Sequence, residues 1–221
     1  MTKNEQWSKA TAMIFNGILL YSIAGILHSI VDPIESIMSA ANTFSPFAGG
    51  GNVPGADGLS NFLLLLTAAI IGGYVMYMLG LGRFAEILDA GDSAAVRKIR
   101  TGVILGMVGE VMTQFPLVGW LIGGIINIVA FILMMTGYSA LKSSPTFPAA
   151  ARSGAGKLFA SQILLIIGTL LGWIPFIGGV FEGILDLVAF ILLLVGWAAI
   201  KNTRPEAPAY SMPDMPQAPR P

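Results

Sequence analysis

The chain has 221 residues, of which 55% are hydrophobic and only 11% are charged, and its mean hydropathy is +0.76. Soluble domains carry about 25% charged residues, so the composition excludes an ordinary water-facing surface and indicates an integral membrane protein. The net charge is zero with no basic block, which argues against nucleic acid as a partner. Cysteine is absent and His28 is the only histidine, so thiolate and multi-histidine metal sites are excluded.

Six apolar segments predict an all-α integral membrane protein with six transmembrane helices. They cover residues 10–31, 62–81, 101–115, 118–141, 158–173 and 178–200. The first is longer than the apolar region of a signal peptide, so we interpret it as a span. Asp32-Pro33 is expected to end it, because proline disfavours helix for the residue before it.

The third and fifth segments are shorter than the roughly 20 residues that cross a bilayer. Three explanations are open. The helices begin earlier, with the stems of Lys98, Arg100 and Lys157 reaching the surface; the bilayer is thinned locally; or the segments lie inside the bundle.

The connections differ in composition. Residues 32–60 are rich in Gly, Pro and Ser and predict a long outer loop. Residues 83–100 predict an amphipathic linker at the membrane interface, and residues 142–157 a second loop on the same side. In the linker, three apolar residues share a helical face and an acidic residue is placed to cap the next helix: Phe84, Ile87, Leu88 and Asp92.

Lysine and arginine set the expected orientation. With residues 1–9 in the cytoplasm and six crossings, all twelve basic residues fall on the cytoplasmic side. Both termini are then cytoplasmic, and the proline-rich residues 201–221 form an extended tail. A prokaryotic inner membrane is the expected location.

An internal repeat is visible when the fourth segment is shifted by 59 residues onto the sixth. Pro116 falls on Pro175, Lys142 falls on Lys201, and the sequence VAFIL occurs in both copies. The repeating unit is a helical hairpin, 101–141 and then 158–200, and two-span units predict parallel repeats related by an axis along the membrane normal. Residues 76–83, MYMLGLGR, resemble a worn third copy and make 10–82 a first hairpin.

Glycine pairs four residues apart permit close helix packing in lipid, within the chain or between chains. The paired hairpins contain four such pairs: Gly102–Gly106, Gly119–Gly123, Gly168–Gly172 and Gly179–Gly183. Pro116 and Pro175 mark the hairpin turns. Aromatic residues at three positions are interpreted as members of an interfacial belt: Tyr138, Trp173 and Trp197.

Polar residues are expected to gather in one outer layer of the membrane. The layer comprises Glu110, Asn127, Glu182, Asp186 and His28. Glu182 and Asp186 share a helix face and no lysine or arginine is expected on that side. Either water at the headgroups solvates them, or they form a proton or cation site, because ionisable groups within spans are often functional.

Motifs for catalysis, cofactors or nucleotides are not recognisable in the sequence. We therefore expect a non-enzymatic membrane protein, a scaffold or accessory subunit that associates with other subunits or with itself. The alternative is a proton or cation channel or transporter that uses Glu110, Glu182 and Asp186. A dry inner half would favour the scaffold, and a water-lined path beneath the polar layer would favour transport.

Overall fold

The protein is all-helical in a computed structural model that describes residues 1–44, 56–113, 115, 118–172, 174–175 and 177–205. Over this part of the chain there are six helices: α1 Lys3–Phe44, α2 Ala56–Glu86, α3 Ala90–Thr113, α4 Gly119–Ser143, α5 Ala149–Gly172 and α6 Gly178–Asn202.

Five of these helices, all except α3, are long and apolar enough to cross a membrane. The composition therefore fits a membrane protein, as the sequence predicts. Helix α3 has 24 residues, the same length as α5. It differs in charge, because Arg97, Lys98 and Arg100 lie in its first half and Glu110 near its end.

Consecutive helices pack closely in pairs: α1 with α2, α3 with α4, and α5 with α6. Glycine makes the close approach possible. A methyl group added at Gly102 would lie 2.7 Å from the carbonyl oxygen of Ala130, and one added at Gly154 would lie 2.6 Å from that of Gly196. Such distances leave no room for a side chain, so these backbones are in direct contact.

Each pair also touches the next, through α2 with α3, α4 with α5, and α6 with α1. The indole Nε1–H of Trp7 in α1 donates a hydrogen bond to the carbonyl oxygen of Ile200 in α6 at 3.0 Å. The Nζ atom of Lys201 lies 4.8 Å from the centre of the Phe15 ring, again between α6 and α1. The first and last helices are therefore joined, and the three pairs form a closed ring.

The buried core lies at the end of the bundle that holds the start of α1, the connections 87–89 and 144–148, and the end of α6; we call it the terminal end. Aromatic rings fill it. The ring centroids of Trp7 and Phe84 are 4.8 Å apart, and those of Trp7 and Phe147 are 5.9 Å apart. These three residues and Trp197 are each at most 1% exposed.

Helix α1 does not end at Asp32-Pro33, and that prediction is wrong. The helix continues through Pro33 to Phe44. Proline removes one backbone hydrogen bond, but long membrane helices tolerate it because local adjustments satisfy the freed groups. Ser60 Oγ at the start of α2 donates a hydrogen bond of 2.8 Å to Glu35 in the extension. Of the predicted outer loop, only residues 45–55 lie outside the described helices.

Residues 83–100 are not a separate linker, because they form the end of α2 and the start of α3. Phe84 is fully buried in the core. Asp92 does not cap the helix but lies inside its first turn, 2% exposed, and accepts a hydrogen bond from Thr146 Oγ1 at 2.9 Å. Likewise the loop predicted for 142–157 shrinks to 144–148, because α5 begins at Ala149. The short third and fifth apolar segments are therefore parts of longer helices, α3 and α5, which begin at Ala90 and Ala149, before the apolar runs.

Candidate functional site: a tyrosine-lined cavity

A cavity of about 380 Å³ lies inside the ring and is lined by residues from all six helices. Its lining is mainly aromatic and apolar, with two strongly polar side chains: Tyr21, Tyr74, Tyr77, Val103, Gly106, Met107, Glu110, Met134, Tyr138, Gln162, Leu165 and Leu193. Because each of the three helix pairs contributes residues, the cavity is a property of the whole bundle.

Tyrosines form the side of the cavity that faces the core. The hydroxyl oxygens of Tyr77 and Tyr138 are 3.3 Å apart, within hydrogen-bonding distance. The rings of Tyr21 and Tyr74 stack with centroids 4.4 Å apart. Tyr77 also packs edge-on against Trp197, with centroids 6.3 Å apart. Tyr77 and Tyr138 are 4% and 1% exposed, and both belong to the buried core.

Gln162 is the buried polar residue of the lining. It is 4% exposed, and its Oε1 atom has no hydrogen-bond partner among the described residues. Buried polar atoms are nearly always paired, because an unpaired one loses its hydration without compensation. The Oε1 atom of Gln162 is therefore available to accept a hydrogen bond from a group inside the cavity.

A second cavity, of about 200 Å³, adjoins the first between α1, α5 and α6. The two share Tyr21, Gln162, Leu165 and Leu193. The second also contains Asp186, together with the hydroxyl-bearing residues Ser22 and Ser161. Two acids of the predicted polar layer, Glu110 and Asp186, thus line adjoining spaces.

The other residues of the predicted layer lie elsewhere. Asn127 contacts Gly109 across the α3–α4 pair, and Glu182 contacts Gly172 across the α5–α6 pair, each in space that a glycine leaves open. His28 is half-buried on α1 and is not among the residues that line the two cavities. Among the described residues, no group of three or more His, Asp or Glu side chains is placed to hold a metal ion.

The predicted packing glycines fall into two groups. Close neighbours, at 3.2 Å or less from an added methyl group, surround Gly102, Gly119, Gly123, Gly168 and Gly172. The remaining three are less crowded: the nearest atom to such a group is 3.9 Å away at Gly106, and nothing lies within 4 Å at Gly179 and Gly183. Helix contacts at Gly179 and Gly183 would therefore involve another molecule. Pro175 lies exposed in the connection before α6, whereas Pro116 lies outside the described residues.

The sequence analysis missed the tyrosines and Gln162. It assigned Tyr138 and Trp197 to an interfacial belt, yet they are 1% and 0% exposed; Trp173 lies outside the described residues. A signal was available, since Tyr74 and Tyr77 lie three residues apart on one helical face of an otherwise apolar span. An uncharged polar residue in an apolar span can therefore indicate a site just as a charged residue can.

The sequence matches no protein-family model, and comparisons with curated proteins and with solved structures found no significant match.

Proposed function

We propose that this protein is a non-enzymatic integral membrane protein that serves as a scaffold or accessory subunit of a membrane complex, bound to other subunits or to further copies of itself. The observation that carries the proposal is the solid terminal end of the bundle. Trp7, Phe84, Phe147 and Trp197 fill it with mutually packed rings. A packed apolar plug leaves no room for a water-filled path, which is the condition that favours a scaffold over a pore.

The outer surface supports association within a bilayer. Large apolar side chains cover it, among them Leu64, Trp120 and Val180, each at least 65% exposed in the isolated chain. Lipid satisfies such a surface, and so does another membrane protein. Gly124 and Gly183 have open space beside them, so a foreign helix could approach the backbone closely at both.

We further propose that α3 is a sixth span and that the helix pairs are parallel repeats of one hairpin. Helix α5 begins and ends 59 residues after α3, and α6 begins and ends 59 residues after α4. The contacts follow the same shift. Asn127 packs on Gly109 as Asp186 packs on Gly168. An α3 that repeats a spanning helix and packs along a second one is expected to cross with it.

The α1–α2 pair follows the same contact pattern, which supports the proposal that residues 76–83 belong to a third and more divergent copy of the hairpin. An added methyl group at Gly17 would meet the backbone nitrogen of Tyr77 at 2.6 Å and the carbonyl oxygen of Gly73 at 2.7 Å. At Gly102 it would meet the corresponding atoms of Met134 and Ala130, at 3.1 and 2.7 Å. Three similar pairs closed into a ring are what a parallel threefold repeat produces.

The proposed orientation places both termini in the cytoplasm, in a prokaryotic inner membrane. Every described lysine and arginine lies in the terminal half of the bundle: Lys3, Lys9, Arg83, Arg97, Lys98, Arg100, Lys142, Arg152, Lys157, Lys201 and Arg204. Basic residues remain on the cytoplasmic side during insertion, which supports this orientation.

A second candidate function is proton or cation transport, and the tyrosine-lined cavity is the observation that favours it. Glu110 and Asp186 supply carboxylates beside spaces that reach into the bundle. Transport would require the terminal end to open, with Trp7 and Phe84 separating.

Flux measurements distinguish the two. The full chain is reconstituted into liposomes that carry a pH-sensitive dye, with a K⁺ gradient and valinomycin to drive proton entry, and separately with Na⁺. We expect the same leak as in protein-free liposomes. In mild-detergent extracts of native membranes, we expect a complex whose protein mass, without bound detergent, exceeds the 23.2 kDa of one chain. Flux that Glu110→Gln abolishes would overturn the scaffold proposal in favour of transport.

A further inference from the structure

We propose that the tyrosine-lined cavity binds a small organic ammonium ion, with its charged nitrogen near Glu110 and Gln162 and its apolar part among the tyrosines. This goes beyond the scaffold function and does not depend on it, because binding requires no passage through the terminal end.

The charge of the lining selects a cation. Glu110 lines the cavity and Asp186 lines the adjoining one, whereas neither lining contains a lysine or arginine. Both acids are exposed in the isolated chain, and a carboxylate with no basic residue in the same lining favours a positive ligand and opposes a negative one. The four tyrosine rings offer apolar surface to the substituent of such a ligand.

The size and apolar character of the cavity select an organic ion rather than a metal. About 380 Å³ lies within the usual range of small-molecule sites. Val103, Leu165 and Leu193 offer no ligands to a bare metal ion, and hard cations require several oxygens. Met107 and Met134 are flexible and can adapt to an irregular apolar group.

Gln162 selects a nitrogen that carries a proton. Its Oε1 atom is buried, lacks a hydrogen-bond partner within the described part of the chain, and belongs to a residue that borders both cavities. A protonated amine donates an N–H to such an acceptor, whereas a quaternary ammonium cannot. The preferred class is therefore a protonated amine with an apolar or aromatic substituent.

The test measures binding of N,N-dimethylbenzylamine, which is protonated at neutral pH, to the full chain in nanodiscs by titration calorimetry. Isobutylbenzene, its neutral carbon counterpart, is the ligand control. We expect saturable binding with one site per chain and no displacement by isobutylbenzene. Glu110→Gln should weaken binding about tenfold because it removes the negative charge, and Gln162→Leu about fivefold because it removes the acceptor for the single N–H of the ligand. Glu182→Gln, an acid that lines neither cavity, should change it less than about twofold.

Three outcomes would overturn the proposal: no saturable binding by a chain of correct native mass, equal competition by isobutylbenzene, or equal weakening by Glu110→Gln and Glu182→Gln. If Glu110→Gln fails to fold, Met134→Trp provides the decision, because it fills the cavity without altering an acid. Loss of binding in Met134→Trp supports the site, and retained binding refutes it.

Discussion

At the scale of single residues, glycine and its partner across the helix pair explain most of the close packing. Asn127 and Asp186 each occupy space that a glycine of the neighbouring helix leaves open. Part of each polar side chain thereby lies against the neighbouring helix, although Asp186 also remains exposed. An amide and an acid thus occupy corresponding positions of α4 and α6, each beside a glycine of the neighbouring helix.

The glycines should therefore differ sharply in their tolerance of alanine. Gly102→Ala should destabilise the protein by about 1–3 kcal/mol, because the new methyl group would lie 2.7 Å from the carbonyl oxygen of Ala130. Gly124→Ala is the matched control in the adjacent helix. It has nothing within 4 Å and should be neutral or stabilising by up to about 1 kcal/mol. Thermal unfolding in detergent provides the comparison, and equal losses in both variants would contradict this packing.

Sequence reasoning located Glu110 and Asp186 but not the cavities beside them. Charge in an apolar run is visible without knowledge of the fold, whereas a cavity depends on which helices are neighbours. Tyr21, Tyr77 and Gln162 come from three different helices, and only closure of the ring brings them together.

At the scale of helices, composition identified where each helix lies but not where it begins or ends. An apolar run marks the part of a helix that contacts lipid. The helix continues past that part wherever the adjoining residues also pack against the bundle. Helix α3 begins at Ala90 because Val96 and Ile99 are fully buried in the core, among basic residues that suggested an exposed linker. The burial of Asp92 could not be predicted from composition, because it depends on a hydrogen bond that Thr146 donates from a distant part of the sequence.

The contact between α1 and α6 should depend on one indole hydrogen bond. Trp7→Phe retains an aromatic ring but removes the indole donor and leaves the carbonyl oxygen of Ile200 with only the backbone N–H of Thr203 at 3.2 Å, so we expect a loss of about 1 kcal/mol in unfolding free energy. Trp120→Phe, at a side chain that is 66% exposed, is the control and should change stability by less than about 0.5 kcal/mol. Chemical or thermal unfolding of both variants measures the difference, and an unaffected Trp7→Phe would show that the bond contributes nothing.

At the scale of the whole molecule, the two ends of the bundle differ. The terminal end combines the packed aromatic core with all the described basic residues, whereas the cavities extend towards the opposite half, where Glu110 lies. The proposed orientation therefore directs the closed end to the cytoplasm and the carboxylates outward.

Orientation can be measured directly because the chain has no cysteine. Ser36→Cys lies exposed on the extension of α1, and Ser143→Cys lies exposed at the terminal end. An impermeant maleimide added to intact cells should label the cysteine at 36 and not the one at 143, and lysis should allow labelling of both. The reverse pattern in intact cells would invert the proposed topology.

The hydrogen bond from Trp7 to Ile200 has a consequence for the order of the chain. Asn4 and Arg204 line one shared surface cleft, so the start of α1 and the end of α6 are neighbours. The ring has three comparable contacts between neighbouring helix pairs. The chain connects α2 to α3 and α4 to α5 directly, whereas α6 and α1 touch without a connection. A circular permutant that links Pro205 to Thr2 by a short flexible segment and opens between Ser144 and Pro148 should insert, fold and retain the thermal stability of the parent within a few degrees. Failure to fold would mean that the order of insertion, and not the closed ring, decides the structure.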